Sequence, residues 1–224
     1  MQAKKGKFIV IDGTNGSGKA TQTEKLVKVL KKQKKNILFV DFPQYGKRSA
    51  TLVEDYLNGK FGSAEEVGPY RASILFACDR YAASKKIQQH LDNGEIVISN
   101  RYTPSNMAHQ TAQIPKKVDK EKYLEWLNDL EYELFKIPKP DLVIILYNPP
   151  QLSQKWVDKK GYRKYVKGQK RDIHEADANL LRRAADAYKY ISEKYNWPII
   201  KADQDREQVH KEIMKCVGRL VDEK

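Results

Sequence analysis

Short apolar runs alternate with amphipathic stretches along the whole chain. Residues 7–12 (KFIVID), 36–42 (NILFVDF), 95–100 (EIVISN), 142–147 (LVIILY) and 198–201 (PIIK) read as strands. Between them, apolar spacing predicts helices at 19–35, 49–57, 69–93, 105–111, 120–136, 150–158, 174–195 and 206–221. Pro69 suits a first helical turn, and Gly94 suits a stop. Strands without polar alternation are buried on both faces. The pattern therefore predicts an α/β fold: about five parallel strands with helices on both faces. Ligands of such sheets bind at the carboxyl ends of the strands, so the residues just after each strand carry the candidate chemistry.

The 224 residues suffice for one sizeable core, and no repeat or long linker divides them. One domain is expected over residues 1–224. No apolar run approaches the roughly 20 residues of a membrane span. The basic N-terminus is followed by no long apolar segment, so neither a membrane anchor nor a secretory signal is expected. Cys78 and Cys216 have no metal or redox spacing, which favours a reducing, cytoplasmic setting. Lys and Arg number 42 against 29 Asp and Glu, a net charge of +13. An anionic partner follows: nucleic acid, a membrane surface or a phosphorylated small molecule.

The loop after the first strand narrows that choice. Gly13-Thr14-Asn15-Gly16-Ser17-Gly18-Lys19-Ala20 matches G-x-x-x-x-G-K between a strand and a helix, the context of a P-loop. Glycines let backbone N–H groups turn toward phosphate oxygens, and the helix N-terminus adds its dipole. The expected phosphate-binding set is Gly13, Asn15, Gly16, Ser17, Gly18, Lys19, Ala20 and Thr21, with Lys19 reaching the β- and γ-phosphates. Ala20 stands where a P-loop usually has a hydroxyl for Mg²⁺. Thr21 is about 100° further around the helix and does not simply replace it. The architecture is therefore expected to be the three-layer P-loop NTPase fold.

Three later segments face the same end of the sheet. Phe42-Pro43-Gln44-Tyr45 follows the second strand, and Asn100-Arg101-Tyr102 the third, with Ser105 and Asn106 just beyond. Phe76 and Arg80, four apart on the long helix, share a face. An aromatic ring and a guanidinium together can stack on a base and bond its carbonyl edge.

In this order and spacing, the P-loop, Phe-Pro-x-Tyr, Leu75-Phe76 with Arg80, Arg101-Tyr102 and Pro140-Asp141 resemble the thymidylate kinase (dTMP kinase) family over nearly the whole chain. The resemblance implies that Phe76 stacks on thymine, Arg80 bonds its O4 edge, and Asn106 with Ser105 meets the remaining polar edge. Phe42 would line the acceptor pocket, and Tyr45 and Arg101 would contact the acceptor phosphate. His109 and His174 stand where the family often has aromatic residues against the sugar. The family usually has acids at the positions of Asn15 and Asn100. With those and Ala20 uncharged, Asp12, Asp172 and Glu175 become the candidates for contact with Mg²⁺.

Residues 158–171 (DKKGYRKYVKGQKR) are basic and lie where the family has its lid, at about 158–173. Cationic groups closing over a phosphoryl in transit stabilise its charge and exclude water. Lys19, Arg101, Arg171 and Arg163 are the expected catalytic groups. The expected function is phosphorylation of dTMP to dTDP by ATP and Mg²⁺, in a homodimer that the resemblance implies. The alternatives are a kinase for another deoxynucleoside monophosphate or a deoxynucleoside, and a nucleotide- or nucleic-acid-binding protein without catalysis. Nucleic acid is the less expected partner.

Overall fold

The computed structural model describes residues 5–152 and 173–221, the side chains of Glu175 and Ala176 excepted. Five strands, β1 (Lys7–Gly13), β2 (Ile37–Asp41), β3 (Ile96–Asn100), β4 (Leu142–Tyr147) and β5 (Ile199–Lys201), form a sheet of order β2-β3-β1-β4-β5. Every pairing between them is parallel. The expected α/β architecture and its strands are thus present.

Alternate residues of β1 feed two cores. Phe8 and Val10 pack into one with α4 (Pro69–Asp92), α5 (Thr103–Thr111), α6 (Lys117–Asn128) and α8 (Ala178–Tyr195). Ile9 and Ile11 pack into the other with α1 (Lys19–Lys32) and α9 (Arg206–Val221). Since strand side chains alternate, a fully apolar strand must be covered twice, which gives the three layers. A smaller cluster joins α2 (Thr51–Leu57) to the start of α4 around Val53 and Tyr56.

The helices differ from expectation in three places. The run at 120–136 begins at Lys117 and leaves the α-helix at Asp129. A π-helical turn, Asp129–Leu134, follows and buries Glu131 completely. The run at 174–195 is two helices, α7 (Ile173–Ala176) and α8. Asp177 divides them, because its side chain accepts a hydrogen bond from Leu180 N (2.9 Å) and so caps α8. A short helix, α3 (Ala64–Val67), was not expected. Its signal is a capping box, Ser63 with Glu66. Of the helix expected at 150–158, residues 153–158 lie outside the described ones.

Candidate active site

A cleft of about 570 Å³ runs across the carboxyl ends of the strands. Its walls come from residues 15–22 after β1, 41–45 at the end of β2, 100–110 from the end of β3, Asn148 after β4, and 202–209 after β5. The size suits a small-molecule site.

The P-loop forms the floor of one end. Gly13 has φ 136°, and a Cβ there would lie 2.0 Å from the Leu146 carbonyl oxygen. Only glycine lets β1 turn this close to β4. Gly18 is left-handed (φ 78°) at the N-cap of α1 and has open space before it. Thr14 and Asn148 tie the loop to β4: Asn148 N donates to Thr14 Oγ1 at 2.8 Å, and Asn148 Nδ2 to the Gly16 carbonyl at 3.1 Å. Lys19 is buried and donates to the carbonyls of Gly13 (2.9 Å) and Thr14 (2.7 Å). Its ammonium is thereby held over the loop.

Arg101 links this floor to the opposite end. It has positive φ (63°), which turns its side chain off the strand line. One guanidinium nitrogen donates to Asn15 Oδ1 and another to Ser105 Oγ, each at 2.9 Å. Ser105 donates in turn to Asp12 Oδ1 (2.7 Å). Asp12 also accepts from Gly13 N (2.8 Å), Tyr102 N (3.2 Å) and Tyr188 Oη (2.9 Å), and it has no solvent exposure. Its four donors hold the Asp12 carboxylate in place beneath the loop, so Asp12 supports the loop. Ser105 accordingly belongs to this support as well as to the cleft wall.

The other end is aromatic. Phe42 is buried against Tyr102, with ring centroids 5.5 Å apart, and its peptide bond to Pro43 is cis. Asp79 fixes the following loop. It accepts from Gln44 N (2.8 Å) and Ser49 Oγ (2.6 Å), which brings Tyr45 to the cleft rim. Phe76 meets Tyr56 edge-on at 6.0 Å, and Tyr56 Oη bonds His174 Nε2 at 2.8 Å. His174 and His109 meet edge-on at 5.6 Å, and His109 meets Tyr188 at 6.0 Å. Burial, with His174, Arg101 and Lys19 close by, holds His109 well below its ordinary value, so its ring is neutral.

Arg80 enters the cleft beside Phe76 but is fully engaged on its inner side. Its Nε donates to Glu131 Oε2 at 2.8 Å, and Nη2 pairs with the other carboxylate oxygen. Burial alone would depress Arg80, and the Glu131 charge and hydrogen bonds outweigh it. Two polar atoms at this end, though buried, have no hydrogen-bond partner among the described residues: Asn106 Oδ1 and Gln110 Nε2.

A family model described as thymidylate kinase matches residues 11–213. The chain belongs to the thymidylate kinase family. Thymidylate kinase of Mycobacterium tuberculosis (strain H37Rv) is 29% identical to it over 202 residues, covering 88% of this chain and 92% of that protein. A probable thymidylate kinase of Thermococcus onnurineus is 32% identical over 217 residues, covering 94% and 96%. Thymidylate kinase of Danio rerio is 25% identical over 221 residues, covering 99% and 94%.

For this family member, the cleft collects the expected Asn15, Gly16, Ser17, Gly18, Lys19, Ala20, Thr21, Phe42, Tyr45, Phe76, Arg80, Arg101, Ser105, Asn106, His109 and His174. Gly13 sits beneath them at the end of β1. The lid, with Arg163, Arg171 and Asp172, lies outside the described residues up to Ile173, as does the side chain of Glu175. Five residues were not anticipated: Asp41, Tyr56, Asp79, Gln110 and Glu131. Gln110 alone had a local signal, four positions beyond Asn106 on one helix face. The others reach the cleft through partners 35 to 118 residues away.

Proposed function

We propose that this protein transfers the γ-phosphoryl group of ATP to dTMP, giving dTDP and ADP, with Mg²⁺. The observation that carries this reading is the pair of unpartnered atoms beside Arg80. A thymine imide presents an N–H between two carbonyl oxygens. Asn106 Oδ1 is an acceptor for that N–H, and Gln110 Nε2 and Arg80 are donors for the carbonyls. Each unsatisfied buried group costs about 1–3 kcal/mol until a ligand fills it. Cytosine, with an acceptor at N3, would meet Asn106 Oδ1 acceptor to acceptor. The names of the relatives support the same substrate.

The chain's own groups then have distinct tasks. Backbone N–H groups of the P-loop hold the donor phosphates, and Lys19 moves from the loop carbonyls to their oxygens. An oxygen of the acceptor phosphate bonds the γ-phosphorus as the bond to the β,γ-bridging oxygen breaks and ADP leaves. Arg101, between Asn15 and Ser105, offers its charge where the two phosphates meet. No base is needed, because the acceptor oxygen is already anionic. Arg163 and Arg171 are proposed to add charge from the lid within one kinase domain spanning residues 1–224.

Mg²⁺ takes oxygen ligands and keeps several waters, so it needs few protein ligands. Among the described residues no three acidic, His or Cys side chains cluster. The donor set that fits is Asp41, exposed at the cleft, with the unpartnered Asn100 Oδ1 beside it. When bound, the ion would neutralise phosphate charge.

Tyr70, Ile74 and Tyr81 form an exposed apolar stripe on one face of α4. A second copy of the chain is the occupant proposed for it, as the expected homodimer requires. No helix among the described residues is long and apolar enough to cross a membrane. Cys78 and Cys216 are free thiols, which supports the expected cytoplasmic setting.

The test is ADP release with ATP and Mg²⁺ against dTMP, dUMP, dCMP, dGMP, dAMP and thymidine. Turnover strongest with dTMP is expected. Preference for another acceptor would keep a kinase and overturn the base assignment. Bound ATP without turnover on any acceptor would favour a non-catalytic binding protein.

A further inference from the structure

α1 and α9 lie side by side over one core and are joined near their starts. Gln22 Nε2 donates to the Arg206 carbonyl (2.9 Å), and the His210 ring meets Gln22 Oε1 at 3.2 Å. Leu26 and Leu30 of α1, and Val209, Ile213 and Val217 of α9, turn into that core. At about 100° per residue, Lys28 and Lys32 stand opposite the two leucines, and Lys211 and Lys215 opposite the three α9 residues. All four lysines are exposed. Four residues are about 6 Å of helix, and packed helix axes lie about 8–10 Å apart, so the lysines form two short neighbouring rows. The acids of these helices do little to offset them. Glu207 pairs with Lys25 (2.5 Å), and Glu212 accepts from Gln204 (2.7 Å), which leaves Glu24.

The end of α1 extends the rows. The left-handed position after a helix favours glycine, and here it is Lys34 (φ 59°). Its N–H returns to the Lys31 carbonyl (2.9 Å), and that of Lys35 to the Leu30 carbonyl (3.2 Å). The turn thus holds two more exposed cations where a glycine would be less strained.

Among the described residues, no large apolar side chain of α1 or α9 is exposed. A membrane-surface helix needs an apolar face beside its charges, and a protein interface needs apolar or aromatic anchors. This face offers charge alone. A phosphodiester backbone requires nothing more, because its affinity comes from counterions released as phosphates are neutralised. We propose that the outer face of α1 and α9, with Lys34 and Lys35, binds the phosphate backbone of nucleic acid without reading its sequence. None of these lysines lines the cleft. The face lies across the sheet from α4, so it stays open in the proposed homodimer.

The test is binding of the full-length protein to a labelled duplex DNA of mixed sequence, read by fluorescence anisotropy over a series of NaCl concentrations. One variant carries Lys28→Gln, Lys32→Gln, Lys211→Gln and Lys215→Gln. A control carries Lys85→Gln, Lys86→Gln, Lys116→Gln and Lys117→Gln, which removes the same charge from exposed lysines on and beside α4 and α6. Thermal unfolding verifies that both are folded, as changes of exposed lysines should leave them. Wild type is expected to bind with an affinity that falls steeply with salt. The α1/α9 variant is expected to bind about 10-fold more weakly or worse, with a salt slope lower by about 3–4, near one for each lysine removed. The control is expected to bind much as wild type does.

A wild type that does not bind DNA would overturn the proposal. So would an α1/α9 variant no weaker than the control, since binding would then follow net charge and not this face. Binding abolished by saturating ATP would place the nucleic acid in the cleft and would overturn it too. Sedimentation with phosphatidylserine vesicles by a protein that does not bind DNA would assign the face to a membrane instead.

Discussion

Arg80 and Glu131 form an ion pair whose side chains are 3% and 1% exposed, fifty-one residues apart in sequence and directly beneath the acceptor end of the cleft. A buried pair is held by both partners. Removing one leaves a charge with nowhere to go, at about 3–5 kcal/mol. Glu131→Gln keeps the shape but removes the charge and leaves one acceptor where Arg80 needs two. The variant is expected to lower the unfolding midpoint and raise KM for dTMP more than it lowers kcat. Thermal unfolding and steady-state kinetics read both. An unchanged KM would mean that Arg80 is held by other groups.

That pair also marks how far the sequence could be read. The strands were legible because a parallel sheet buried on both faces demands unbroken apolar runs such as LVIILY. The P-loop was legible because its geometry is local: glycines, a lysine and a helix start within eight residues. Arg80 and Phe76 could be paired from their helical spacing. Glu131 could not, since only the tertiary fold and a π-helical turn bring it inward. Asp12 shows the same limit: the sequence makes it a candidate for contact with Mg²⁺, and only the fold brings Ser105 and Tyr188, 93 and 176 residues away, to donate to it. Local chemistry shows which groups can act, and long-range packing decides which are already taken.

Lys19 spends its hydrogen bonds on two P-loop carbonyls. Lys19→Ala should leave the sheet intact, because the loop is also anchored by Thr14 and Asn148. It should lower kcat by ~100-fold or more, about 2.7 kcal/mol of transition-state stabilisation. Circular dichroism checks the fold and single-turnover kinetics the chemical step. Near-native kcat would remove Lys19 from the donor site.

His109 sets an acid limit on stability. It faces His174, Tyr188, Arg101 and Lys19, and burial comes first among the causes that hold it well below its ordinary 6.5. The unfolded chain therefore binds a proton that the folded protein refuses. Stability contributed by the neutral ring is complete above about pH 6.5 and declines as pH falls below it. Urea unfolding of wild type should show that decline between about pH 7 and about pH 5.5. His109→Phe, which cannot titrate, should show a shallower one. Equal slopes in both proteins would place the acid sensitivity elsewhere.

Gln110 and Asn106 are the residues proposed to carry the choice of base. Among the described residues, Gln110 Nε2 is a buried donor without a partner, one helical turn from Asn106 Oδ1, a buried acceptor without one. A ligand that satisfies both gains what the empty site lacks, and a ligand that satisfies neither leaves the penalty in place. Gln110→Leu fills the volume without the donor. It should lower kcat/KM for dTMP about 10-fold or more, because one carbonyl of the imide is then unpaired. Asn106→Ala removes the acceptor that repels cytosine N3, so it should raise the ratio of dCMP to dTMP turnover. Gln110→Leu should move that ratio less, because thymine and cytosine share the O2 carbonyl. Competition between dTMP and dCMP in one assay measures the ratio directly. Identical ratios in wild type and Asn106→Ala would assign base discrimination to Arg80 alone.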